Sequence, residues 1–291
     1  MRYARPETIE QAAGLLSQEQ GVTRILTGGT DVMVQLKAGL VEPALIVDIK
    51  HLPGLRSITS EDGGFRIGAA VSGAEMGEHA ALRALWPGVV EGAELIGSTQ
   101  VQGRATMVGN LCNGSPAADA VPGLIAANAT ARITGPNGTR DCPVADIPAG
   151  PGKTTLGKGE IVTSLHLPAR PPHSGDAYLR FIPRTEMDIA VVSAAVSLTI
   201  DASGTVTAAR VALGAVAPTV RLVGPAADAI IGSKLDESAL TALAAAASAA
   251  CSPIDDKRGT IAFRTQVAGV LARRAAQIAY TRAKPTTGAS Q

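Results

Sequence analysis

Aromatic side chains are the scarcest feature of this chain. Three Phe, three Tyr and one Trp amount to 2% of its 291 residues. Any core must be built from Ala, Val, Leu and Ile, and a planar ligand would rest on aliphatic side chains and backbone. Cysteine is also sparse. Cys112, Cys142 and Cys251 are far apart and form no Cys-x-x-Cys pair. That argues against zinc or iron–sulfur clusters within the chain and against a secreted disulfide scaffold. Excess charge of one sign is missing too. The net charge is +1, with no basic stripe, so no nucleic-acid partner is expected. The longest alanine-rich stretch, residues 239–250, is far too short to span a bilayer. The first seven residues, Met1-Arg2-Tyr3-Ala4-Arg5-Pro6-Glu7, hold no apolar core of signal-peptide type. The expectation is a soluble, cytoplasmic protein with no transmembrane segment. His51, His79, His166 and His173 show no metal-ligand spacing, and no metal site is expected.

Hydrophobic residues make up 46% of the chain, enough for two or three modest cores. Apolar spacing predicts a helix over 8–17 with Thr8 as N-cap, a strand over 24–27, a short helix over 32–38 capped by Asp31, and a strand over 44–49. That order suggests a small α/β unit. A strand over 65–70 precedes a helix opened by Ser72 with Glu75 at its third position. Residues 82–92 are helical, and Pro87 splits them in two. Residues 117–127 form an apolar helix whose first turn holds Pro116. A hairpin joins 129–134 to 139–142, and a strand follows over 160–167. Pro168 to Gly175 is the best linker. Beyond it, strands over 178–182, 191–200 and 206–215 form an antiparallel meander, followed by helices over 225–231, 237–250 and 259–282.

Two glycine loops carry the chemical signal. One is Thr27-Gly28-Gly29-Thr30-Asp31; the other is Thr106-Met107-Val108-Gly109-Asn110. Glycines let the backbone approach a ligand closely and take positive φ. The N–H groups of a following helix add partial positive charge. Alone, Gly28-Gly29 reads as a tight turn. Two such loops can grip a diphosphate from both sides, which points to a dinucleotide. Neither is a Gly-x-Gly-x-x-Gly fingerprint or a Walker loop, which argues against NAD on a doubly wound sheet and ATP on a P-loop. Asp31 reads as a helix cap or a sugar ligand. Asp119, on the first turn of the next helix, reads as a helix-dipole partner or as a ligand for ribityl or ribose hydroxyls. Cys112 reads as a small buried hydrophobe.

The run from Gly103-Arg104-Ala105-Thr106-Met107-Val108-Gly109-Asn110 to Leu111-Cys112-Asn113-Gly114-Ser115-Pro116-Ala117-Ala118-Asp119 resembles the second FAD loop of the medium, flavin-binding subunits of molybdenum hydroxylases. These include carbon monoxide dehydrogenase medium subunits and xanthine dehydrogenase FAD domains. Thr27 to Asp31 resembles the first loop. Tyr178-Leu179-Arg180-Phe181-Ile182-Pro183-Arg184 and Ser252-Pro253-Ile254-Asp255-Asp256-Lys257-Arg258-Gly259 resemble parts of the family's C-terminal domain.

The resemblance implies an α+β fold. A two-part FAD-binding domain of the vanillyl-alcohol-oxidase (PCMH) type would span 1–170, with subdomains of about 1–55 and 56–170. A small C-terminal domain with a three-stranded antiparallel sheet and helices would span 176–284, and a disordered tail 285–291. It implies FAD contacts from Ile25, Leu26, Thr27, Gly28, Gly29, Thr30, Asp31 and Val32, and from Thr106, Met107, Val108, Gly109 and Asn110. Asp119 falls on the ribityl or ribose side. Ile96 and Val162 fall near the flavin, and Arg180 stands where relatives often have a lysine by the ring. Two departures stand out: Val108 replaces a usual glycine, and Arg180 keeps the charge of lysine but changes its donor geometry. No catalytic side chain is implied in this chain. A molybdenum pterin cofactor would sit in a large partner subunit and two [2Fe–2S] clusters in a small one, in a dimer of heterotrimers. The alternatives are a stand-alone flavin oxidoreductase of the same fold or a flavin-free structural subunit. The substrate and the electron acceptor are not legible.

Overall fold

The structure is a computed structural model that describes residues 1–285. The expected tail, apart from Pro285, lies outside the described residues. In chain order, β1 is Arg2–Ala4, α1 is Ile9–Gln18, β2 is Thr23–Leu26, α2 is Val32–Lys37 and β3 is Leu45–Asp48. These strands form a parallel sheet in the order β1-β3-β2. The central strand β3 is buried at every residue, as an inner parallel strand flanked by partners should be. Thr8 caps α1 by accepting from the Gln11 N–H. The helix sets Ala12, Ala13 and Leu16 against Leu45, Val47 and Ile49. The α/β unit is therefore present, with an additional strand, β1, that local periodicity does not announce.

The next elements are β4 (Ile58–Glu61), β5 (Gly64–Gly68), α3 (Gly73–Glu78), α4 (Ala80–Leu85) and α5 (Pro87–Glu94). Ser72 and Glu75 form a reciprocal capping box, and the helical stretch is split as expected, with Pro87 as the first residue of α5. Then come α6 (Thr99–Gln102), α7 (Met107–Cys112), α8 (Ala120–Ala126), β6 (Thr130–Gly135) and β7 (Gly138–Pro143). The short pair β8 (Pro148–Gly150) and β9 (Lys153–Thr154) precedes β10 (Ile161–Leu167). An antiparallel sheet runs β4-β5-β10-β6-β7. Its β6–β7 hairpin closes with Gly135 opposite Gly138, as the turn residues require.

The chain divides into two compact units. The first is Met1–Arg83, Ala93–Ser115 and Asn128–Ala169; the second is Ala84–Gly92, Pro116–Ala127 and the described residues from Arg170 to Pro285. The second unit contains β11 (Ser174–Phe181), β12 (Val192–Ile200), β13 (Val206–Gly214) and β14 (Arg221–Leu222), an antiparallel sheet in that order. The expected meander is β11 to β13; the two-residue β14 extends it by pairing with Ala212 and Leu213. The helices α9 (Gly224–Asp228), α10 (Glu237–Ala249) and α11 (Ile261–Ala283) complete the unit. Its core combines Val192, Val196 and Leu213 of the sheet with Ala268, Ala272, Ala275 and Ala279 of α11. Small residues let the helix lie close to the sheet. A Cβ on Gly175 would fall 2.0 Å from the Ala279 carbonyl oxygen.

Two local expectations change. Helix α8 starts at Ala120, so Pro116 lies outside its first turn, and the Pro116 carbonyl accepts from the Ala215 N–H instead. The expected linker is anchored rather than free. The Arg170 guanidinium is buried, bonds Asp176 at 2.8 Å and stacks 4.3 Å from the Trp86 ring centre, while Ser174 and Gly175 already belong to β11. Among the described residues, no helix is long and apolar enough to cross a membrane.

Candidate cofactor site

Both glycine loops face one cleft in the first unit, with a volume of about 600 Å³. That lies within the usual range of about 300–1,000 Å³ for small-molecule sites. The loops are built differently. The first is a true loop between β2 and α2, and Gly29 sits at φ +77°, a conformation that penalises any Cβ. The second is a helix start: Thr106 is the N-cap of α7, and its Oγ1 accepts from the Gly109 N–H at 2.9 Å. Val108 thus lies in ordinary helical backbone. This removes the difficulty posed by a β-branched residue in place of glycine, since valine costs little in a helix.

The two segments meet directly. Thr27 Oγ1 lies 3.4 Å from Thr106 Oγ1, and both residues are buried. Gly28 touches the strand of chain leading into α7, so closely that a Cβ would lie 1.9 Å from the Arg104 carbonyl oxygen. Farther along, Gln35 Nε2 donates to Asn113 Oδ1 at 3.2 Å.

The N–H groups of Gly28, Gly29, Thr30 and Asp31 donate to no acceptor among the described residues. Such a run of unpaired donors beside a cleft suits an anion. Asp31 holds the N-cap position of α2 but makes no capping bond. Burial raises its carboxyl above the ordinary value. Its expected capping role is therefore not realised.

The cleft is lined by Ile25, Thr27, Gly28, Gly29, Thr30, Asp31 and Val32 from the first segment. Thr106, Val108, Gly109 and Asn110 come from the second, with Ile96 and Val162 from elsewhere in the unit. Leu26 and Met107 do not line it. Asp119 and Arg180 belong to the second unit, where they find each other. Arg180 Nη1 bonds Asp119 Oδ2 at 2.7 Å, and Tyr178 donates to Asp119 Oδ1 at 2.8 Å. Burial pushes the Asp119 carboxyl up to about 6, while Arg180 and Tyr178 hold it down.

Several lining residues carry no obvious signal in the sequence: Arg24, Gln35 and the turn Leu156-Gly157-Lys158-Gly159 before β10. The two glycines of that turn were the available clue. Cys112 also lines the cleft; burial pushes its thiol up to about 12, so it stays neutral and unreactive. Outside the cleft, ligand atoms of Glu61, Asp62 and His166 converge within 4.8 Å of one another, but both Glu61 oxygens are engaged by Arg66.

A cleft lined by both polar and aliphatic side chains, with two backbone segments in contact and a run of free N–H donors, suits a dinucleotide, and these residues fit FAD. Among the described residues no lining side chain is aromatic, so a flavin ring would rest on Ile and Val. Residues 1–170 match the family described as FAD binding domain in molybdopterin dehydrogenase. Residues 177–279 match the CO dehydrogenase flavoprotein C-terminal domain. The chain belongs to this family of FAD-binding flavoproteins of molybdopterin dehydrogenases. It is 33% identical to the carbon monoxide dehydrogenase medium chain of Afipia carboxidovorans, over 97% of each chain. It is 35% identical to the putative xanthine dehydrogenase FAD-binding subunit of Escherichia coli, over 75% of this chain and 74% of that one. A solved CO dehydrogenase from Oligotropha carboxidovorans superposes with a TM-score of 0.92 at 32% identity, covering 96% of this chain and 97% of the other.

Proposed function

We propose that this chain is the FAD-bearing subunit of a multi-subunit molybdenum hydroxylase, passing electrons from a partner subunit to an external acceptor. The observation that carries this reading is the convergence of residues 27–32 and 106–110 on one cleft. When bound, FAD supplies the redox chemistry that links one-electron carriers to an external acceptor. The chain itself binds and orients. The N–H groups of residues 28–31 receive the diphosphate, the Thr27–Thr106 contact fixes the spacing of the two segments, and Ile25, Ile96 and Val162 exclude water. Leu26 and Met107 support the segments from behind. By resemblance Asp119 and Arg180 also serve the cofactor, and as a hydrogen-bonded pair they act jointly. No side chain is required as an acid or base.

A molybdenum pterin cofactor is assigned to a large partner and two [2Fe–2S] clusters to a small one, in a dimer of heterotrimers. Such clusters are held by sets of cysteine thiolates, and this chain has three cysteines, too few for two sets. All three are free thiols, which supports a reducing, cytoplasmic location. The test is purification of the full chain with whatever chains accompany it. Acid release should yield FAD, and partners carrying molybdenum and iron should co-purify. A complex that holds no FAD and cannot be loaded with it overturns the reading, as does substrate turnover by this chain alone.

A further inference from the structure

The charged side chains lining the cleft are Arg24, Asp31, Lys158 and Glu160. Elsewhere in the first unit, cations are mostly committed to carboxylates: Lys50 to Asp48, Arg66 to Glu61 and Arg132 to Asp141. Glu160 is likewise spoken for. Arg140 holds it through two bonds of 2.8 and 2.9 Å, and the Gly157 N–H donates to it at 2.7 Å. Its charge is neutralised from outside the cleft, which leaves Lys158 uncommitted two residues away. Lys158 makes no ion pair among the described residues, and Arg24 meets only the Thr23 carbonyl oxygen, at 2.9 Å. Asp31 is the remaining anion, and burial disfavours its charged form.

The cleft thus presents two unspent cations, one from β2 and one from the turn before β10. The geometry points to Arg24 and Lys158 as the side chains that neutralise the cofactor's diphosphate. The inference rests on the cleft taking a flavin dinucleotide. The free N–H groups of residues 28–31 carry only partial charge, and an anion drawn out of water needs full charges to offset its lost hydration. Affinity for FAD therefore has a salt-dependent part that riboflavin, which has no phosphate, does not share.

The experiment uses the full chain with its co-purified partners, stripped of FAD, and titrates FAD and riboflavin by fluorescence at low and high salt. Arg24→Gln and Lys158→Gln should each weaken FAD about tenfold at low ionic strength. The gap should close as salt rises. Riboflavin affinity should not change, and Arg24→Lys and Lys158→Arg should retain most FAD affinity. Lys158 is exposed, so its variant tests the idea even if an Arg24 variant misfolds. Unchanged FAD affinity in both glutamine variants at low salt overturns the assignment, and so does equal weakening for riboflavin. If the unaltered complex takes up no FAD at all, the flavin reading itself falls. If it binds FAD normally while the variants match it, only the role of these two cations is lost.

Discussion

A methyl group on Gly28 would lie 1.9 Å from the Arg104 carbonyl oxygen, whereas one on Gly29 would first meet the flexible end of Leu26, at 2.8 Å. The two adjacent glycines therefore answer to different constraints. Gly28 is set by contact between the two cofactor segments, and Gly29 by its φ of +77°. Gly29→Val should force the loop out of the left-handed region at a cost of roughly 1–3 kcal/mol, and FAD should bind about tenfold or more weakly. Gly29→Asn, which tolerates this conformation, should lose less. Fluorescence titration decides the matter, and equal affinity in the Val variant would remove the loop from the site. At this scale the glycines were legible because their chemistry is local. The Asp119–Arg180 pair was not: 61 residues separate its members, and nothing in either neighbourhood announces the other. Lys158 is silent for a related reason, since an isolated lysine near a strand reads as an ordinary surface cation.

Elements follow the same division. The Ser72–Glu75 capping box, the break at Pro87 and the β6–β7 turn were readable because each depends on residues within a few positions. Strand β1 was not, since three residues become a strand only by pairing with β3, more than forty positions away. The glycine and asparagine of the second cofactor segment suggest a loop, but the segment is the first turn of α7, with Thr106 as its N-cap. Within the second unit, β11 lies so near α11 that the helix backbone touches Gly175. Gly175→Val should push α11 off the sheet, at a cost of about 2–4 kcal/mol if the packing only partly relaxes. Urea denaturation followed by tryptophan fluorescence would register the loss, and a midpoint equal to that of the unaltered protein would show that the seam is slack.

For the molecule as a whole, the two units should respond to acid differently. Burial pushes the Asp119 and Asp176 carboxyls up to about 6, from an ordinary value of 3.8. The folded second unit binds these protons more tightly than its unfolded chain. Their contribution to stability therefore grows as pH falls from about 6 to about 4. In the first unit, arginines hold Glu61, Asp141 and Glu160 below their ordinary values, so their contributions are present at neutral pH and fade as these groups take up protons. Lowered carboxyls on the surface of either unit are screened, Asp141 in the first as much as Asp201 and Asp256 in the second, so the buried Asp119 and Asp176 set the difference. The single Trp, Trp86, lies in the second unit and reports on it alone. Between pH 7 and 4, the denaturation midpoint seen by Trp fluorescence should fall less than the one seen by far-ultraviolet circular dichroism. Coincident midpoints throughout would refute the difference between units. The division into units was itself only partly visible in the sequence. The Pro-rich stretch from Pro168 to Gly175 marks one crossing, but the return of residues 84–92 and 116–127 to the second unit depends on tertiary packing that no local pattern records.

The alanine-built seam under α11 also determines how this protein can be probed. Truncation to alanine, the usual way to find residues that matter, is blind where the side chains are already methyl groups. Ala268, Ala272, Ala275 and Ala279 are fully shielded from water, and such a survey would pass over them in silence. Their importance would emerge only from the reverse exercise, enlarging each by one or two carbons and watching where the joint refuses to close.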